Sequence, residues 1–155
     1  MPKVVLVEPQ IPPNTGNIAR TCAATETELH LVAPLGFEIS DHYLKRAGLD
    51  YWPYLKFYYH KNIPKFLEFQ QQKGGRLLGF SVRGKQNYLG CQFQENDWLL
   101  FGSETQGLSL DLQAKCDLTL YLPMTHEKVR SLNLSVTAAV ALFEAYRQLK
   151  VLKDV

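Results

Sequence analysis

Six short apolar runs recur along the chain, at residues 4–7, 29–32, 56–59, 76–81, 97–101 and 118–122, and much of the sequence between them has helical spacing. Runs of this length, bounded by Gly, Pro and Asn, read as strands. Parallel strands need crossover connections, usually helices, so the alternation predicts an α/β fold with a mostly parallel sheet flanked by helices. A first helix is expected at 17–25, with Ile18, Cys22 and Ala23 on one face, after an irregular stretch containing Pro9, Pro12, Pro13 and Gly16. Asp41 caps a short helix through 47. Asn62 caps another that carries Ile63, Phe66, Leu67 and Gln70 and stops at Gly74-Gly75. Residues 84–95 show no pattern. The 155 residues suit one domain, 1–155, with no internal repeat or linker.

The last helix, 134–150, constrains the assembly. Leu134, Val136, Ala139, Val140, Leu142, Phe143, Ala145 and Tyr146 cover most of its circumference. A helix apolar nearly all round is buried on more than one side. In so small a domain the second cover is expected to be another subunit, which predicts a two-fold homodimer. A central core helix in a monomer is the alternative.

No apolar run is long enough to span a bilayer, and the opening Met1-Pro2-Lys3-Val4 is too soon interrupted for a signal peptide. A cytoplasmic protein without a membrane partner is expected. Cys22, Cys91 and Cys116 lie far apart, and His30, His42, His60 and His126 are scattered, so reduced thiols and no metal are expected. The net charge of +2 neither demands nor excludes nucleic acid.

Ligands of an open parallel sheet bind beyond the carboxyl ends of its strands. Three polar loops leave strands here. The first holds Asn14 and, one turn into the expected helix, Arg20; alone it reads as an ordinary cap with a solvated arginine. The second is Phe101-Gly102-Ser103-Glu104-Thr105-Gln106-Gly107-Leu108-Ser109. Leu108 stands where a P-loop has lysine, which argues against a nucleoside triphosphatase. The third is Leu122-Pro123-Met124 followed by Lys128 to Ser135, where Ser131 or Asn133 opens the last helix. Capping explains one of Ser131, Asn133 and Ser135, not all three. No Gly-x-Ser-x-Gly elbow exists, and no Gly-x-Gly-x-x-Gly follows the first strand, so a serine hydrolase and a dinucleotide-type site are unsupported.

Taken in order, Asn14…Arg20, Phe101-Gly102-Ser103-Glu104…Gly107 and Ser131-Leu132-Asn133-Leu134-Ser135 resemble the three motifs of the SpoU group of RNA 2′-O-methyltransferases, within the SPOUT superfamily. The run from Glu8-Pro9 to Ile18, Arg46-Ala47-Gly48-Leu49-Asp50-Tyr51 and the ending Glu144 to Leu149 are similar to the small tRNA wobble-position enzymes of that group, the TrmL or YibK type. The resemblance covers nearly the whole chain. The chain departs from that subgroup at Ser103 (usually Pro), Gln106 (Arg), Leu132 (Met) and Val136 (Asn), and its 125–130 loop is one residue longer. These changes lean toward the general SpoU pattern.

The resemblance implies a C-terminal trefoil knot, a rare exception to unknotted folds. It implies S-adenosylmethionine as cofactor, bound in the knot across a two-fold dimer interface by Phe80, Gly102, Leu122, Ser131 and Leu132. It implies tRNA as partner, through the anticodon loop, and methylation of the ribose of the first anticodon nucleotide in leucine tRNAs. Arg20, Asn14, Glu104, Ser131 and Asn133 are the implied catalytic set. Arg20 is often given as general base in this family, but arginine stays protonated in proteins. A phosphate contact that also stabilises negative charge developing on the 2′-oxygen suits it better, with Glu104 and Asn133 orienting it. Lys45, Arg46, Arg83, Lys128 and Arg130, with Tyr51, Trp52 and Tyr54 near the first pair, are the expected RNA contacts. The same chemistry on another tRNA position or on rRNA, and a non-catalytic RNA-binding protein, are the alternatives.

Overall fold

The structure is a computed structural model that describes residues 1–39 and 51–152. The expected helix at 41–47, with Lys45 and Arg46, lies outside the described residues. Seven strands form one sheet: β1 (Lys3–Val7), β2 (Leu29–Val32), β3 (Phe57–His60), β4 (Leu77–Phe80), β5 (Gln86–Asn87), β6 (Trp98–Phe101) and β7 (Leu118–Tyr121). Every pairing is parallel, in the order β3-β2-β1-β6-β4-β7-β5. Four α-helices accompany them among the described residues: α1 (Pro12–Ala24), α2 (Ile63–Lys73), α3 (Leu110–Lys115) and α4 (Leu134–Leu149).

Alternation along the strands sends side chains to two cores. Val4, Leu6, Leu31, Leu99 and Phe101 face Ile18 and Cys22 of α1 and Ala141, Leu142, Ala145 and Tyr146 of α4. Val5, Val7, Trp98 and Leu100 face Phe66 of α2 and Leu112 of α3. Both faces are covered, which is why β1, β4 and β6 read as near-continuous apolar runs, with β2 interrupted only by His30.

The differences from the sequence reading have local causes. α1 starts at Pro12, five residues before the expected position. Prolines at the first two helical positions lack only N–H groups that have no partner within the helix, so they start a helix here instead of preventing one. β5 is two polar residues paired with Leu120 and Tyr121, too short to give an apolar signal. α3 is six residues long, capped by the Ser109 hydroxyl accepting from the Leu112 amide. α4 matches its expected span, yet within one chain only one side is buried. Val136 is 46% exposed and Phe143 45%.

Because all the strands run the same way, Phe80, Phe101 and Tyr121 end at one edge. The loops at 81–84, 102–109 and 122–133 therefore meet there.

Candidate active site

These loops enclose a cleft of about 530 Å³, within the range of small-molecule sites. All five residues expected to hold the cofactor line it: Phe80, Gly102, Leu122, Ser131 and Leu132. They come from three separate stretches of sequence. The rings of Phe80 and Phe101 stack with centroids 4.9 Å apart, and Leu120 is fully buried beneath. Glu104, Arg83 and Arg130 also line the cleft.

The 102–107 turn is rigid. The Gly107 amide donates to the Ser103 carbonyl at 2.9 Å, and the Gln106 amide donates to Ser103 Oγ at 3.2 Å. Gly107 adopts φ +67°, and a Cβ on Gly102 would lie 2.0 Å from the Gly107 carbonyl carbon. Both positions therefore require glycine. Leu108 is buried in the second core, so the position that carries lysine in a P-loop points into packing.

Glu104 takes a role that sequence reasoning missed. Its carboxylate accepts from the Gln10 amide at 2.8 Å and from the Ile11 amide at 3.2 Å. Ile11 is the N-cap of α1 and offers no side-chain cap, while Pro12 and Pro13 donate nothing. Glu104 thus supplies, from the loop after the neighbouring strand β6, the negative group a helix N-terminus attracts. The two prolines are the signal that pointed to an outside cap.

A second joint ties α1 to α4. Asn133 Nδ2 donates to Asn14 Oδ1 at 3.0 Å, and Asn133 Oδ1 accepts from the Ser135 amide at 2.9 Å and from its hydroxyl at 2.6 Å. Asn14 is buried although polar, and this bond satisfies it. Of Ser131, Asn133 and Ser135, two are accounted for: Asn133 caps α4, and Ser135 helps hold the Asn133 amide that reaches Asn14.

Arg20 stands apart. It lies eight residues beyond Pro12, about 12 Å along α1 at 1.5 Å per residue, not one turn in. It does not line the cleft. In the single chain neither Glu104 nor Asn133 hydrogen-bonds it; its guanidinium carbon sits 4.7 Å from the centre of the Tyr51 ring. Lys128 is exposed on the 125–130 loop, outside the cleft lining.

Elsewhere, His30 Nδ1 and His60 Nε2 lie 2.9 Å apart, and His30 Nε2 is 3.2 Å from Glu28 Oε2. Burial lowers the pKa of both histidines, that of His30 to about 4. Burial pushes the Cys116 thiol up to about 11 and raises that of Cys22 as well, so neither is a ready nucleophile. Among the described residues no three His, Cys, Asp or Glu side chains are grouped to hold a metal, and no helix is long and apolar enough to cross a membrane.

The sequence model of the SpoU rRNA methylase family matches residues 1–143. A tRNA (cytidine(34)-2′-O)-methyltransferase of Polaromonas sp. is 45% identical over 94% of this chain and 89% of its own. A Synechocystis sp. protein that carries the same name provisionally is 59% identical over 97% of this chain and 98% of its own. A solved structure concerned with 2-OH methylation of C/U34 on tRNA superposes with a TM-score of 0.92 at 48% identity, covering 97% of each chain.

Proposed function

The chain belongs to the SpoU rRNA methylase family, and on that premise we propose that it is an S-adenosylmethionine-dependent methyltransferase of the ribose 2′-oxygen at tRNA position 34, the first anticodon nucleotide. The substrate we assign is the wobble C or modified U of leucine tRNAs. The observation that carries the reading is the cleft: the five residues expected to hold the cofactor converge on it from three stretches of sequence. Relatives 45% identical or more over nearly their whole length bear the position-34 activity in their names. Ser103, Gln106 and Leu132, which depart from the wobble subgroup, favour a second reading in which the same chemistry acts at another tRNA position or on rRNA.

The cleft fits the cofactor by its chemistry. Phe80, Leu122 and Leu132 offer apolar and aromatic surface, the 102–109 backbone offers polar groups, and the missing Cβ at Gly102 keeps that backbone close. Bound there, S-adenosylmethionine supplies the sulfonium methyl that the 2′-oxygen takes. The chain's own residues align and stabilise. Ser131 and the 102–109 backbone hold the cofactor. Glu104 and the Asn14–Asn133 pair set the start of α1 against the cleft loops. Arg20 grips the neighbouring phosphate and stabilises the charge developing on the 2′-oxygen, while the proton leaves to phosphate or water. Alignment of this kind lowers barriers by several kcal/mol, up to roughly ten.

Arg20 lies outside the cleft of its own chain, so this reading pairs each cleft with an Arg20 from a second copy in a two-fold dimer. The half-exposed Val136 and Phe143 of α4 are the apolar cover that such a dimer buries. A trefoil knot at the C-terminal part belongs to the same reading. Its support is that β7 lies between β4 and β5 in the sheet and its exit loop shares the cleft with the loops after β4 and β6.

The test is transfer. Purified protein is incubated with methyl-labelled S-adenosylmethionine and RNA from cells lacking the enzyme, and 2′-O-methylnucleosides are mapped by mass spectrometry. New methyl at position 34 of leucine tRNAs supports the assignment. Methyl elsewhere supports the second reading, and cofactor binding without transfer indicates a non-catalytic RNA-binding protein.

A further inference from the structure

Arg20 is exposed on α1, and none of the ion pairs among the described residues includes it. What lies against it is an aromatic face. The guanidinium carbon is 4.7 Å from the centre of the Tyr51 ring, a distance at which ring and cation attract. The backbone that carries the ring is anchored. Tyr51 precedes a single 3-10 turn, Trp52–Tyr54, whose hydrogen bonds run from the Tyr54 amide to the Tyr51 carbonyl at 3.0 Å and from the Leu55 amide to the Trp52 carbonyl at 3.1 Å. Trp52 is half-buried against the first core, its ring 5.4 Å from that of Phe57.

We propose that Tyr51 is a positioning residue for Arg20, holding the guanidinium for the ribose-phosphate through the face of its ring; this rests on the methyltransferase reading above. The reason lies in which part of the guanidinium each partner occupies. A carboxylate takes the in-plane N–H groups and offsets the positive charge. An aromatic face contacts the flat side of the ion, so the five N–H donors stay free to fork onto a phosphate and the charge is kept. A long side chain that no ion pair among the described residues holds samples many rotamers, and the ring contact narrows them before RNA arrives. That is pre-organisation without competition for the groups that do the binding.

The test uses the full chain with a leucine tRNA transcript bearing C34 and labelled S-adenosylmethionine. Tyr51→Leu keeps the bulk and removes the π face; kcat is expected to fall by roughly 2- to 5-fold, the range of an exposed cation–π contact. The KM for S-adenosylmethionine stays unchanged. Tyr51→Phe and Tyr51→Trp keep the face and retain kcat within about 1.5-fold. In parallel, the Arg20 Nε–Hε resonance, assigned through Arg20→Lys, shows a ring-current shift in the wild-type protein and in Tyr51→Phe that vanishes in Tyr51→Leu. A Tyr51→Leu enzyme as fast as the wild type overturns the proposal. So does a Tyr51→Phe enzyme as slow as Tyr51→Leu, or an Arg20 resonance with no ring-current shift. Absence of transfer to this transcript by the wild-type protein sinks the leucine-tRNA assignment, and the ring-current readout alone then decides whether Tyr51 holds Arg20. Normal wild-type transfer with an indifferent Tyr51 removes the role alone.

Discussion

Glu104 offers the sharpest check on how the site is built, because two roles for it predict different behaviour. A carboxylate that pins the start of α1 contributes to folding; one that takes a proton from the 2′-hydroxyl does not need to. Glu104→Gln separates them. The native carboxylate accepts from Gln10 and Ile11 at 2.8 and 3.2 Å. Hydrogen bonds to a charged group stabilise by about 1.5–3 kcal/mol and neutral ones by about 0.5–1.5. The glutamine carbonyl oxygen takes the place of Oε2 and still accepts from both amides. Loss of the charge also removes a favourable contact with the helix dipole, about 0.3–1 kcal/mol. The site is open to water, which compensates in part, so the expected net loss is about 1–2 kcal/mol. At this chain length that lowers Tm by roughly 2–6 °C. Methyl transfer should fall by no more than about tenfold, since α1 keeps its place most of the time and the alignment is only loosened. Glu104→Ala should lose more on both measures. Calorimetry and labelled-methyl transfer on the same preparations decide the matter. Abolished transfer with a Tm unchanged within a degree would refute the pinning role and point to a proton acceptor instead.

Gly102→Ala forces a Cβ to within 2.0 Å of backbone at Gly107, so titration calorimetry should show S-adenosylmethionine affinity reduced by at least about 100-fold; affinity within a few-fold of wild type refutes the cleft assignment. Arg20→Ala and Ser131→Ala proteins, each inactive alone, should recover up to about one quarter of wild-type activity when refolded together, because half the dimers are mixed and each mixed dimer has one intact composite site. No recovery means that Arg20 serves the cleft of its own chain. His30, whose pKa is lowered to about 4 by burial against an ordinary value of 6.5, has Glu28, His60 and Lys3 as its electrostatic neighbours. Between these values the unfolded chain takes up a proton that the folded chain refuses, so stability falls as pH drops. From pH 6.5 to 5 the loss is about 1.6 kcal/mol, readable as a lower urea midpoint. His30→Phe should flatten that limb, and an equally steep limb in the variant places the titration elsewhere.

Much of the fold was legible because its strands announce themselves twice. β1, β2, β4 and β6 are covered on both faces, so they read as largely apolar runs, and each ends in a loop marked by glycine, proline or polar residues. The last helix was legible for a related reason: its apolar circumference exceeds what one chain covers, as the exposed Val136 and Phe143 show. β5 was invisible, since Gln86 and Asn87 pair through backbone alone. The start of α1 was misplaced because prolines that forbid a helix interior are welcome in its first turn.

The sequence by itself determined the alternation of strands and helices, hence the parallel sheet and the edge where a ligand binds, together with the side chains available there. These are properties of neighbours along the chain, set by spacing and side-chain type. The tertiary structure alone decided who meets whom across it. Glu104 reaches the Gln10 and Ile11 amides over ninety residues away, Asn133 reaches Asn14, and the Tyr51 ring receives Arg20. Such partners are fixed by strand order and register, and a parallel sheet sets these through crossovers that leave no local trace in the residues they bring together.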